Sequence, residues 1–234
     1  MVGRIRYLRE KGREDGNLEY LCGLTVLTLT LYEPPGLSHR RLARRLEKLE
    51  RTFRKAEVSR VMLPDGFPHA HRLRGLYPVS PMTFYRAIAD LLAVEWLRLH
   101  GISPEWGRVA LAGHRLCPEL EETAHRLCPK VRAVRIDVPG EEGEVFARLL
   151  QREFGLPVTP PGEPADVTLS FGGAPGDLSL WGDEPDLGGL TLRAEGLDLP
   201  DEWAAQLMAL LWERGSLRRE DIRVSNSAES LANG

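Results

Sequence analysis

The second half of the chain alternates short segments of strand pattern with longer segments of helical pattern, and this rhythm constrains the fold most strongly. Strand patterns at 108–112, 131–138 and 165–171 are separated by helical patterns at 118–127 and 141–154. Strands that alternate with helices of about 10–15 residues indicate βαβ units and therefore a parallel sheet. The sequence predicts an α/β fold with a Rossmann-like, doubly wound, mostly parallel sheet in three αβα layers.

The first hundred residues also mix strand and helix patterns. Residues 3–8 and 18–32 alternate polar and apolar side chains, and the Asp-Gly-Asn turn between them predicts an antiparallel hairpin. Apolar residues at helical spacing predict a helix over 38–56, with Ser38 as its N-cap. A further strand is expected over 58–63.

An apolar helical pattern over 82–100 separates these elements from the regular second half. We expect an N-terminal α/β lobe over 1–100 that ends in this helix, a Rossmann-like lobe over 101–224 and a disordered tail over 225–234. The segment 101–107, with two glycines and a proline, is the predicted boundary. A two-lobe layout resembles that of dehydrogenases with a separate substrate lobe, although likeness of fold does not fix function.

Composition predicts a soluble, cytoplasmic protein without a membrane partner. Hydrophobic residues make up 42% and charged residues 28%, as in ordinary globular domains. No apolar run reaches the roughly 18 residues that span a bilayer, and the N-terminus lacks a signal-peptide pattern. The three cysteines include no C-x-x-C pair, so we expect free thiols and no metal site.

The net charge of −3 conceals an asymmetry along the chain. Residues 1–100 carry 18 Lys and Arg against 11 Asp and Glu, whereas residues 101–234 carry 13 against 23. Such a division indicates either an anionic partner for the basic half or attraction between the two halves. The helix over 38–56 carries the densest basic face. No aromatic residue interleaves it and no helix-turn-helix is evident, so nucleic acid is not the expected partner.

One strand end in the second half has the layout of a dinucleotide-binding turn. Gly113, His114 and Arg115 follow a strand and precede a helix, and Asp137 ends the next strand, 24 residues after Gly113. An acid near that spacing binds ribose hydroxyls in Rossmann units. The glycine fingerprint is incomplete, because its second and third positions hold Arg115 and Pro118. A nucleotide or dinucleotide cofactor is therefore compatible with the layout but has no complete motif.

A second glycine-containing turn follows the strand at 165–171. Glycines there would allow a ligand to approach the backbone closely, and they would equally serve an irregular exit from the strand. Because ligands of open α/β sheets lie beyond the carboxyl ends of the strands, a small molecule is expected there. The candidate cofactor-binding residues are Gly113, His114, Arg115, Asp137, Gly172 and Gly173.

Two further local patterns are weaker. His69 and His71 lie in a loop, where an H-x-H pair with nearby arginines suits an anion better than a metal. Cys117 lies near a helix N-terminus, which would lower the pKa of its thiol, and His114 is close enough in sequence to form a thiol–imidazole pair. Neither pattern assigns a catalytic residue.

Three classes of function remain, and whether the chain is an enzyme stays open. The leading class is a non-catalytic or degenerate Rossmann-like scaffold that binds a ligand or partner, since the glycine fingerprint is lost. The second is a nucleotide- or small-molecule-dependent enzyme with a divergent crevice. The third is a nucleic-acid or anionic-partner binder that uses the basic helix over 38–56.

Overall fold

The computed structural model describes residues 1–12, 15–155, 163–173, 175–182 and 185–226. The chain divides into two compact units, residues 1–80 with 197–211 and residues 81–196 with 212–234. The first unit is therefore discontinuous in sequence. The division falls after Ser80, and the helices that follow pack with elements of the second unit. The predicted tail beyond residue 226 lies outside the described residues.

Every segment with a predicted strand pattern contains a strand. The strands are β1 (Val2–Leu8), β2 (Gly16–Leu21), β3 (Leu24–Tyr32), β4 (Arg60–Met62), β5 (Tyr77–Pro78), β6 (Arg108–Ala112), β7 (Ala133–Asp137), β8 (Val167–Ser170), β9 (Leu178–Ser179), β10 (Leu190–Ala194) and β11 (Ile222–Asn226).

The helices also follow the apolar periodicity of the sequence. They are α1 (His39–Lys55), α2 (Met82–Ala87), α3 (Ala89–Leu99), α4 (Pro118–Leu127), α5 (Glu141–Phe154) and α6 (Ala204–Glu213). Among the described residues, none of these helices has the length and apolar character that crossing a bilayer requires.

Within the described residues, the first unit contains a five-stranded sheet in the order β2-β3-β1-β4-β5. β1 pairs in parallel with both β3 and β4, so the predicted hairpin between β1 and the following strand is wrong. The predicted strand at 18–32 is itself a hairpin, β2 and β3. It turns at Cys22 and Gly23, whose φ angles are 48° and 80°. Two positive φ values suit a type I′ turn, which matches the twist of paired strands.

Helix α1 covers one face of this sheet. Four buried residues recur at helical spacing and form an apolar cluster with strand residues such as Ile5: Leu42, Leu46, Leu49 and Phe53. Gly3 leaves room for this helix, since a Cβ there would lie 2.7 Å from Phe53 Cε1. The polar residues of α1 consequently lie on the side away from the sheet.

A distant segment completes the first unit. The Gln206 side chain donates from Nε2 to Leu63 O at 2.7 Å and accepts from Leu63 N at 3.0 Å. These two bonds imitate those of a neighbouring strand and satisfy both backbone groups of Leu63, just beyond β4. The contact joins residues 143 positions apart in the sequence.

In the part that the structure describes, the second unit contains a four-stranded parallel sheet in the order β7-β6-β8-β9. The chain runs from β6 through α4 to β7, then through α5 to β8 on the other side of β6. This reversal of strand order is the doubly wound arrangement. Parallel sheets flanked by helices confirm the predicted α/β, Rossmann-like fold class. β10 and β11 form a separate antiparallel pair.

The apolar helix predicted over 82–100 is in fact two helices, because α2 ends and α3 begins at Ile88. The carbonyl of Ala87, at the end of α2, accepts hydrogen bonds from Arg126 Nη1 at 2.8 Å and Arg219 Nη1 at 3.0 Å. Guanidinium groups thus satisfy a backbone group that would be bonded within an unbroken helix.

A buried carboxylate reinforces this break. Asp90, in the first turn of α3, has 0% of its surface exposed. Its carboxylate forms ion pairs with Lys130 Nζ at 2.9 Å and with Arg219. Arg219 therefore joins the end of α2 to the start of α3. The apolar pattern of the sequence did not predict this charged network.

Candidate functional site

The predicted crevice lies at the carboxyl ends of β6 and β8, the neighbouring strands at which the strand order reverses. The Gly113 backbone N–H donates to Asp137 O at 3.1 Å, and that of Phe171 donates to Ala112 O at 2.7 Å. These bonds extend the ladders by one residue and bring the turns after β6 and β8 to one edge. Ligands of open α/β sheets bind at such an edge.

The His114 imidazole lies on the glycines of this crevice. A Cβ added to Gly173 would lie 2.4 Å from His114 Cε1, and one added to Gly172 would lie 3.4 Å from His114 Cδ2. The φ of Gly173 is 92°, a conformation that favours glycine. The glycines therefore make room for a side chain of this chain. In a Rossmann turn, glycine instead makes room for a pyrophosphate.

Asp137, predicted to bind ribose, is held by Arg135 from the same strand. Arg135 Nε donates to both carboxylate oxygens at 2.9 Å, and its Nη2 lies 2.7 Å from Oδ2. Arg115, predicted to contact phosphate, is exposed beyond β6. The structure thus brings the predicted residues to one edge, with part of the acid's hydrogen-bonding capacity already used.

Cys117 is the N-cap residue of α4, and the sequence predicted a lowered pKa for its thiol. That prediction is wrong. Burial raises the pKa of Cys117, and neighbouring Glu119 raises it further, while a bond from the Leu120 backbone acts in the opposite direction. A thiol with a raised pKa is a poor nucleophile at neutral pH. The thiol–imidazole pair with His114 therefore loses its chemical basis.

Arg86 belongs to this edge, although the sequence analysis did not single it out. Its Nε donates to Leu180 O at 2.8 Å, and its Nη2 donates to Phe171 O at 3.2 Å. Both carbonyls lie just beyond strands β8 and β9, so one guanidinium binds the carboxyl ends of two strands. The only signal in the sequence was a single charged residue in the short, otherwise uncharged helix α2.

A second polar cluster lies at the carboxyl edge of the first unit's sheet. The Tyr7 hydroxyl donates to Glu33 Oε2 at 2.6 Å, and His69 Nε2 lies 2.7 Å from the same oxygen. Tyr7 is near the end of β1, Glu33 follows β3 and His69 follows β4, three strands that run parallel. Phe67 contacts the Tyr7 and His69 rings edge-on, with centroids 5.5 Å and 5.7 Å away.

The charge of this second cluster is centred on Glu33. Burial alone would raise the pKa of Glu33, but hydrogen bonds from Tyr7 and His69 and the charges of His69 and Arg9 hold it below its ordinary value. Burial, followed by the bond to Glu33, raises the pKa of the Tyr7 hydroxyl. Glu33 is therefore a carboxylate that orients a phenol and an imidazole.

The histidines of the H-x-H loop separate in the structure. His69 contacts Glu33, whereas His71 lies exposed in a 3-10 turn, Ala70–Arg72. Residues two apart face the same side only on a strand, so these two rings do not form a chelating pair. In the described ranges, no group of three His, Cys, Asp or Glu side chains is placed to hold a metal ion.

The basic helix and the histidine loop, predicted as separate candidates, line one groove. The groove has a volume of about 530 Å³, and its charged lining consists of Glu47, Glu50 and Arg54 of α1 with His71, Arg72 and Arg74 of the loop. We use "basic surface" for nine cations of this region: Arg40, Arg41, Arg44, Lys48, Arg51, Arg54 and Lys55 of α1, with Arg72 and Arg74.

Comparison with known proteins gives a structural likeness and no family. No protein-family model matches the sequence, and no curated protein matches it. Among solved structures, L-tryptophan dehydrogenase from Nostoc punctiforme matches with 15% sequence identity and a TM-score of 0.32. The match covers 72% of this chain and 55% of that protein, so the chain spans about half the length of the dehydrogenase. A likeness at this level assigns no function.

Proposed function

We propose that the chain is a non-catalytic, Rossmann-like scaffold that acts by binding a partner. The observation that carries this proposal is the position of the His114 ring on Gly172 and Gly173 at the reversal of strand order. A pyrophosphate would need the space that the ring takes. Two further features support the same conclusion. Asp137 is ion-paired with Arg135, and the raised pKa of the Cys117 thiol makes it a poor nucleophile.

A nucleotide-dependent enzyme is the second candidate. Arg115 favours it, because this exposed guanidinium lies three residues before the start of α4. A helix N-terminus beside a cation attracts phosphate. For a nucleotide to enter by this route, the His114 ring must turn away from the glycines. The two candidates therefore differ in whether that ring moves.

A thermal-shift screen against nicotinamide, flavin, adenine and guanine nucleotides tests the proposal. A ligand at 100 times its Kd adds about 2.7 kcal/mol, a rise of several degrees at about 2–4 °C per kcal/mol. The scaffold proposal expects no shift for the wild type. A shift that disappears in both Asp137→Ala and Arg115→Ala would overturn it in favour of the enzyme, and His114→Ala shows whether the ring blocks entry.

A further inference from the structure

The outward face of α1 presents cations in a line. All seven Lys and Arg residues that α1 contributes to the basic surface are exposed, on the side away from the buried leucines. Arg40, Arg44, Arg51 and Lys55 recur at spacings of four, seven and four residues, which places them along one side of a helix. At 1.5 Å per residue, this line is about 22 Å long.

The loop beside α1 widens this line into a surface. Arg72 and Arg74 lie across the groove from Arg54, so charges from a separate segment face the same solvent region. The Arg74 backbone N–H donates to Glu50 Oε1 at 2.7 Å, which ties the loop to the helix. The surface therefore combines two segments of the chain.

The cations of the basic surface outnumber the carboxylates of the same segments. Nine cations of the basic surface stand against three acids of the same segments, Glu47, Glu50 and Glu57. The Arg51–Glu47 pair, at 3.3 Å, joins two side chains that are 65% and 68% exposed. Such a surface pair contributes little and is readily exchanged for another anion. The acidic excess of the whole chain comes from residues 101–234 and not from this region.

The helix alone did not predict nucleic acid as its partner, but the structure adds Arg72 and Arg74 to its cations. We propose that the basic surface binds the phosphate backbones of a nucleic-acid duplex. The proposal rests on the binding function proposed above and names its partner. Single strands are bound by stacking their bases on aromatic rings, and the one aromatic residue of α1, Phe53, is buried against the sheet. A helix with its side chains is about 10–12 Å across, which fits a major groove about 12 Å wide. Phosphate contacts need no sequence preference.

Fluorescence anisotropy with a labelled DNA duplex at several salt concentrations tests the partner. The slope of log K against log salt is about −0.9 for each phosphate contact. The triple variant Arg40→Ala/Arg44→Ala/Arg51→Ala should therefore make the slope shallower by about 2.7 units. The control Arg148→Ala/Arg152→Ala/Arg218→Ala removes the same charge from exposed positions of the second unit and should leave the slope unchanged. Circular dichroism melting confirms that both variants fold.

Other outcomes overturn the inference. Absence of duplex binding at low salt, or equal effects of the two triple variants, would remove the basic surface as the contact. Tighter binding of a single strand of equal length would exclude the duplex, and polyglutamate that competes as well as DNA would point to an acidic protein. The nucleotide screen separates the two proposals. A nucleotide shift overturns the non-catalytic scaffold, whereas failure of duplex binding without such a shift overturns only this partner.

Discussion

Replacing Asp90 with Asn should destabilise the second unit by about 3 kcal/mol. The Asp90 carboxylate is buried and pairs with Lys130 at 2.9 Å and with Arg219. Removing one partner of a buried ion pair costs about 3–5 kcal/mol, since the remaining charge loses its counter-charge. The Lys130 and Arg219 side chains are 41% and 26% exposed, so both can regain water. The expected loss therefore lies at the lower end of that range.

Native-state hydrogen exchange, read by mass spectrometry on peptides of α3, measures this loss where it occurs. Two units need not unfold together, so a single melting temperature would not isolate the second one. The matched control is Glu163→Gln, which removes an exposed carboxylate of the second unit and should change stability by no more than about 0.5 kcal/mol. Adding Lys130→Met to Asp90→Asn should recover part of the loss, because one unpaired cation is removed.

A loss below about 1 kcal/mol for Asp90→Asn would refute this reasoning, since that value is typical of exposed ion pairs. It would mean that the network adds little to the stability of the break between α2 and α3. The hydrogen bonds of Arg126 and Arg219 to Ala87 O would then be its main support. The double variant with Lys130→Met would in that case show no recovery.

Three further predictions concern Gly173, Gln206 and Glu33. Gly173→Ala should destabilise the second unit by about 1–3 kcal/mol, measured by urea denaturation. Adding His114→Ala should recover the loss caused by the 2.4 Å contact between the new Cβ and His114 Cε1. It should not recover the loss caused by the positive φ of residue 173. Gln206→Ala should cost about 1–3 kcal/mol by leaving Leu63 N and O unbonded. Gln206→Glu should not restore the stability in the same assay, because a carboxylate has no donor for Leu63 O and sets a second oxygen against it. The lowered pKa of Glu33 stabilises the fold fully above the ordinary glutamate pKa of about 4.3, and this stabilisation is lost as the pH falls through the lowered folded value. Glu33→Gln should therefore be less stable than the wild type at neutral pH, and the difference should shrink in acid.

Local patterns predicted the parallel sheet of the second unit and its helices α4 and α5, because nearby residues specify these elements. The helices α4 and α5 follow from apolar spacing, and the parallel strands follow from their alternation with those helices. The break at Ile88 did not follow, because it depends on Arg126 and Arg219, which are distant in sequence. The pairing of β1 with β3 was missed for a different reason. A type I′ turn at Cys22 requires a positive φ at a residue that gives no such signal.

The candidate sites show the same limit. The sequence located the edge at Gly113 and Gly172 because both turns follow strands of one sheet. It did not predict that the His114 ring lies against Gly172 and Gly173, because a glycine in the sequence shows that space is left at that position but not which group fills it. The cluster of Tyr7, Glu33 and His69 was also not predicted. Glu33 is 26 residues from Tyr7 and 36 residues from His69, and only the pairing of the strands brings them together, which no local motif indicates.

The discontinuity of the first unit has a consequence for synthesis. All five strands of its sheet lie within residues 1–80, but the segment 197–211 that completes the unit is synthesised only after residues 81–196. At about 5–20 residues per second, the incomplete first unit waits for several seconds while the intervening chain is made. During that wait the strands β6 to β9 of the second unit have all been synthesised. The nascent chain therefore completes its first-made unit only after the sheet of the second unit can form, and until then the Leu63 backbone groups lack the hydrogen bonds that Gln206 supplies.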